Sequence, residues 1–318
     1  MRCWLVALLG LVACGLPPSE DLDERVPAAP GGVLEVDLDL GEGLRPDPGH
    51  LEVRSHDGEA VRILAAARGW GAWGAGFRVD RDGDAVRLVG RVEGPATWLF
   101  GGPRIEVQVW VPRELSVDLH CNGGSIRVAE VGGRVRARSE GASIEVAGAE
   151  GPVKLRSDGG DIRVSEVLGP VDARTTSGSI EVRWVTGDVE VRTGGGDIAL
   201  ERVEGHLAAR TDRGHIDLVD VTGPAVARTE RGRVFASFVG DPEGLLETRR
   251  GPVEVSLSER AGAQLEARTR RGSVEVSGEL AFEPAGEAAP DHASGRLNGG
   301  GAPLRLYTTS GSVRVRAR

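Results

Sequence analysis

From residue 115 onward apolar and polar positions alternate with a period of two, in short runs broken by polar turns. Alternation of this kind marks strands that bury one face. In the stretch 171–187, Val171, Ala173 and Thr175 point one way; after the turn 176–179, Ile180 and Val182 point the same way, with Val185 before the closing turn. The flanking stretches repeat the pattern with Val153, Leu155, Ser157, Ile162 and Val164, and with Val189, Val191, Thr193, Ile198 and Leu200. A helical period of 3.6 is missing from this region, which excludes an α-solenoid.

The runs themselves repeat. Glycines two residues before an Ile or Val fall at Gly124, Gly160, Gly178, Gly196, Gly214 and Gly232, with Ala142 in the one missing place, so that the spacing is 18 residues over six steps. It loosens through Gly251 and Gly272 and ends at Gly311. A second series, Gly151, Gly169, Gly187, Gly205 and Gly223, marks an opposite corner. Two corners per repeat mean two short strands per repeat, and equal positions of successive repeats must stack. The predicted fold is all-β: a parallel β-solenoid, or β-helix, of about ten coils over residues 115–318, each rising ~4.8 Å on the last. The corner glycines are expected to supply positive φ. Three residues before each corner stands a Ser or Thr, from Ser139 through Thr193 to Thr308, with Cys121 in the first coil. This column reads as a ladder of hydroxyls bonding the turn backbone, and Cys121 as an inert buried member of it.

Residues 32–114 lack the period but carry strand patterns at 34–40, 51–56, 61–66 and 105–111 and a hairpin around residues 81–84, a β-rich N-terminal lobe covering the first coil. Residues 279–303, rich in Gly, Ala and Pro, read as a loop insertion. Arg314, Arg316 and Arg318 alternate along the last run, as befits an edge strand that resists end-to-end pairing.

The first residues add a location. Arg2 precedes an apolar run of ten residues, too short to span a bilayer, which takes about 20 residues, but of the size of a signal core. Its end, Leu11-Val12-Ala13-Cys14-Gly15, resembles a bacterial lipoprotein signal box, which implies a signal peptide over 1–13 and a lipidated Cys14. Residues 14–31, with four prolines around an acidic cluster, are expected to be a solvated tether to the membrane. Cys121 then remains without a disulfide partner.

Charge narrows the partners. With 39 basic against 48 acidic residues the net charge is −9, which argues against nucleic acid. Arginines nonetheless form columns. Four residues before the corners stand Arg138, Arg156, Arg174, Arg192, Arg210 and Arg228, with Arg268 further on. In the later coils Arg213, Arg231, Arg250 and Arg271 directly precede the corner, with Arg233, Arg249 and Arg270 beside them. Such a strip suits phosphates or carboxylates, which arginine grips in bidentate fashion. The expected partner is an anionic envelope polysaccharide, a lipid head group or an envelope protein. The competing reading is a structural ladder neutralised by Asp212, Glu230, Glu247 and Glu266.

Three residues after the corners, Arg127, Glu145, Arg163 and Glu181 alternate in sign, which predicts a salt-bridge ladder between coils. Glu145 and Glu181 would lie ~9.6 Å apart, near an inverting-glycosidase spacing, so a polysaccharide-processing enzyme is the alternative function. A purely structural spacer is the third. The histidines show no metal-ligand spacing, and neither a metal nor another cofactor is expected. Trp70, Trp73, Phe77, Trp98 and Phe100 form an aromatic group that packs the N-terminal lobe or makes an apolar tip.

The segments "RTTSGSIEV", "RSDGGDIRV" and "RTRRGSVEV", preceded by "VQVWVPRELSVDLHCNGGSIRV", resemble the "putative adhesin" family of bacterial envelope proteins, a domain of unknown function. The resemblance runs from about residue 32 to the end. It implies a β-solenoid in the cell envelope with an adhesion or envelope-stress role, and it brings no enzymatic residues.

Overall fold

The computed structural model describes residues 21–39, 49–69, 72–92, 103–286 and 289–317. The expected signal peptide, Cys14, Trp70, Trp98, Phe100 and Arg318 lie outside them, as does the side chain of Trp73. Among the described residues no helix is long and apolar enough to cross a membrane.

Two long sheets face each other across one core. Each coil gives one strand to each sheet. In the first sheet Val135–Ser139, Val153–Ser157, Val171–Thr175, Val189–Thr193, Leu207–Arg213 and Ala225–Arg231 pair in parallel at a strict offset of one coil. In the second sheet Ser125–Ala129, Ile144–Ala149, Ile162–Val167, Ile180–Thr186, Ile198–Glu204 and Ile216–Val221 do the same. Like side chains therefore stack on like. The column Ile126, Ile144, Ile162, Ile180, Ile198 and Ile216 is at most 1% exposed throughout. Each such side chain is worth ~1.5–3 kcal/mol on burial, and it is covered only when the coils on both sides are present.

The Ser/Thr column is the inter-coil fastener that the sequence predicts. The Thr193 hydroxyl donates to the Gly178 carbonyl of the preceding coil at 2.8 Å and accepts from its own corner N–H at Gly196, at 3.2 Å. Thr175, Thr211, Thr229 and Thr248 make the same donation at 3.0 Å. In the first coil the Cys121 sulfur accepts from the Gly124 N–H at 3.2 Å, and burial pushes its thiol pKa up.

The reason for the corner glycines differs from expectation. Gly160, Gly178, Gly196 and Gly214 do not adopt positive φ. A Cβ on Gly178 would instead overlap the Gly160 carbonyl stacked against it, and one on Gly196 the Gly178 carbonyl. Positive φ enters this column only later, at Gly232, Gly251, Gly311 and Gly272. At the far end of the second-sheet strands a separate left-handed column runs through Glu130, Gly148, Glu166, Trp184, Arg202 and Asp220, with φ between 52° and 70°. Only one of these six is a glycine, so the sequence carries no signal for it.

Both ends depart from simple stacking. Val33–Asp39 and Gly49–His56 pair in parallel with the first coil, and Ala85–Val92 and Arg104–Pro112 form a further course outside them. The predicted N-terminal lobe thus continues the same two sheets. Antiparallel strands close it: Ala75–Asp82 on one sheet, Ala60–Arg68 and then Leu22–Pro27 on the other. The stretch expected as a tether is therefore a strand over 22–27, because Leu22 and Val26 alternate toward the core.

At the other end Pro303–Ser310 lies between Gly244–Arg250 and Ala263–Thr269, and Val313–Ala317 between Val253–Leu257 and Val274–Ser277. The last coil in sequence is the second to last in space. Thr308 accordingly donates to the Gly251 carbonyl, and Thr269 to that of Gly311, each at 2.9 Å. The last run is no edge: Arg314 sits 2.9 Å from Glu254 and 3.9 Å from Glu275. The predicted loop insertion carries the strand His292–Leu297, which covers Ala263–Thr269 in antiparallel fashion, and Phe282–Pro284, which pairs antiparallel on its outer side.

Candidate functional site

Register turns the arginine columns into a surface. On the outer face of the first sheet Arg138, Arg156, Arg174, Arg192, Arg210 and Arg228 are direct neighbours at six successive coils. Glu247 and then Tyr307 continue the column, and Arg268 follows. A second row, Arg213, Arg231 and Arg250, stands in register at the adjoining corner, and Ser310 ends it. Neighbours in each row are ~4.8 Å apart along the sheet.

Ten arginines were expected to form one strip, and the fold divides them. Arg210, Arg213, Arg228, Arg231, Arg249 and Arg250 belong to three adjoining coils, while the inserted coil separates them from Arg268, Arg270 and Arg271. Arg233 lies past the corner, 2.7 Å from Asp217 and over the Phe235 ring. Neutralisation is partial. Arg228 meets Glu247 at 3.3 Å, Arg249 meets Glu230 at 2.8 Å, and Arg268 meets Glu266 at 3.3 Å. The hydrogen bond that Arg249 donates to Glu230 holds its guanidinium pKa above the ordinary value. Among the described residues Arg210, Arg213, Arg231 and Arg250 have no carboxylate within ion-pair distance, and all four are exposed. Like charges at this spacing repel by about 1 kcal/mol per pair in water, which an anion spanning them would relieve.

Beside the arginine column, Ala208 and Val226 make the outer face of the sheet apolar, and a shallow groove of about 550 Å³ runs past Pro170, Asp188, Glu190 and Pro224. The arginine rows thus border a groove with its own acidic lip.

The opposite sheet carries the alternating ladder. Arg127 meets Glu145 at 2.8 Å and Arg163 meets Glu181 at 3.7 Å. Arg163 is the register partner of both Glu145 and Glu181, so an arginine occupies the gap where a glycosidase holds its sugar. The two carboxylates stand on an open sheet face.

Comparison with known proteins follows the same lines. Among curated proteins none matches the chain. A "putative cell adhesion protein" of Clostridium sporogenes is 11% identical over 94% of this chain and 100% of its own, with a TM-score of 0.19. A "putative adhesin" of Bacteroides fragilis is 9% identical over 95% of this chain and 99% of its own, with a TM-score of 0.35. At such TM-scores neither likeness bears on function. The family match is the informative one, because its span coincides with the stacked coils from the first corner to the inserted last strand. Residues 123–316 match the Toastrack DUF4097 domain, and the chain belongs to that family.

Proposed function

We propose that this protein is a non-enzymatic, adhesin-like binder of the bacterial envelope, tethered by a lipid on Cys14, which takes anionic polymers or head groups along its arginine rows. The observation that carries the reading is the register of Arg213, Arg231 and Arg250 on three adjoining coils, exposed and without carboxylate partners, beside Arg210. A repeating anion can meet successive guanidinium groups there, each in bidentate fashion. The envelope location rests on the lipoprotein-like box at residues 11–15 and on the family resemblance of the repeats.

Binding to lipopolysaccharide, a teichoic-type polymer and heparin tests the reading. Wild-type protein is expected to bind at least one of them, with affinity falling as salt rises. The variant carrying Arg213→Glu, Arg231→Glu and Arg250→Glu is expected to lose at least about tenfold, or ~1.4 kcal/mol. Unchanged binding in the variant refutes the arginine rows as the site. Palmitate labelling of cells, abolished by Cys14→Ser, tests the anchor.

A further inference from the structure

The corner opposite the arginine rows carries an unassigned apolar surface. Leu168 is 66% exposed and Trp184 43% exposed; with Val239 they are the exposed large apolar residues among those described. Trp184 sits in the left-handed column at φ 54°, a conformation costly for a bulky side chain. Two coils away in the same column stands Gly148, which carries no side chain and lines the same groove. The result is a groove of about 480 Å³ lined by Gly148, Leu168, Trp184 and Thr186, within the ~300–1,000 Å³ of small-ligand sites.

The rim is polar and mostly acidic. Glu166 and Arg202 flank Trp184 on the neighbouring coils, and Glu204 completes the wall. Arg202 is held by Glu201 at 3.1 Å, whereas Glu166 and Glu204 have no ion-pair partner among the described residues. A flat aromatic face beside carboxylates suits a sugar ring. Indole presents a negative π face, which attracts the polarised C–H groups on the face of a pyranose ring. Carboxylates accept strong hydrogen bonds from the hydroxyls on that ring's edge. The same carboxylates repel anions, so the ligand is not the polyanion of the opposite corner.

We infer that Trp184 and Leu168 form a binding site for an uncharged oligosaccharide, with Glu166 and Glu204 taking its hydroxyl groups. The site is separate from the arginine rows and stands whether or not they bind anions.

Calorimetric titration of the full chain with maltohexaose, cellohexaose and N-acetylated chitohexaose tests it. Saturable binding of at least one is expected, weakened at least about tenfold by Trp184→Ala and less by Trp184→Phe. Glu204→Gln, which leaves the apolar surface intact, should also weaken it. Heparin binding should not change in any of these variants, and the triple arginine variant should show the reverse pattern. Absence of binding to all three sugars, or binding undiminished in both Trp184→Ala and Glu204→Gln, overturns the site. Circular dichroism and thermal melts confirm that each variant is folded.

Discussion

Two positions in each coil, the first-corner glycine and the left-handed residue just ahead of the second corner, help turn the chain by opposite means. At the first corner glycine recurs although φ is ordinary through Gly160, Gly178, Gly196 and Gly214. Just ahead of the second corner φ is left-handed in six successive coils, yet Glu130, Glu166, Trp184, Arg202 and Asp220 occupy the position. Crowding, and not backbone angle, selects glycine here. Glycines at both corners press against the carbonyl of the coil before them, Gly178 on Gly160 and Gly187 on Gly169, while the left-handed position just ahead of the second corner lets its side chains project into solvent. A left-handed residue costs about 1–2 kcal/mol, less than a steric overlap inside a stack that cannot relax.

Three substitutions sharpen that contrast. The largest effect is expected from Gly178→Ala, whose Cβ would overlap the Gly160 carbonyl and push two coils apart: a loss of about 2–3 kcal/mol in chemical denaturation. Ala142, in the same column above the first coil, shows that the overlap is survivable where stacking begins. A loss below ~0.5 kcal/mol would show that the stack yields. Next, Glu166→Gly just ahead of the second corner should be neutral or stabilising by up to about 1 kcal/mol, since it removes left-handed strain and no packing. Destabilisation beyond that would mean the side chain is holding the corner.

The smallest effect concerns Cys121, where the hydroxyl ladder has a thiol. Its pKa is raised in the folded protein, chiefly by burial, so the unfolded chain gives up its proton first. Stability therefore falls as pH rises past the ordinary thiol value, about 8.5, until the folded thiol also ionises. Cys121→Ser, which restores the ladder's usual chemistry, should abolish that decline; a denaturation series from neutral to alkaline pH reads it. An identical decline in the serine variant would place its origin elsewhere.

Much of this molecule is legible in its sequence because stacking is one-to-one. A residue that recurs every 18 positions must recur at every step of the sheet, so the Ser/Thr fasteners, the isoleucine column and the Arg163 ladder all follow from spacing. Order in space is a different matter. Leu304, Leu306 and Thr308 make the same pattern as Leu265, Ala267 and Thr269, so nothing local says which coil lies against Thr248. The arginine rows were visible as residues but not as surfaces, since Tyr307 and Ser310 break them from a distant part of the chain. The Trp184 groove escaped for a further reason. Its backbone column accepts almost any residue and so leaves no repeat to find.

A stack of in-register parallel strands, with like side chains over like and a rise near 4.8 Å, shares its geometry with a cross-β fibril. What keeps such an object finite is the treatment of its ends. At one end antiparallel strands cover both sheets, 75–82 and 60–68; at the other 292–297 covers the first sheet, while the short parallel strand 274–277 ends the second. Reversed direction denies an incoming copy the register on which addition depends. At the second end the outermost coil and the strands that close it also come earlier in the chain than the inserted coil 303–317, so the terminator is made before the last layer it seals. The protein is in this sense a polymer of its own repeat whose length is written into the sequence.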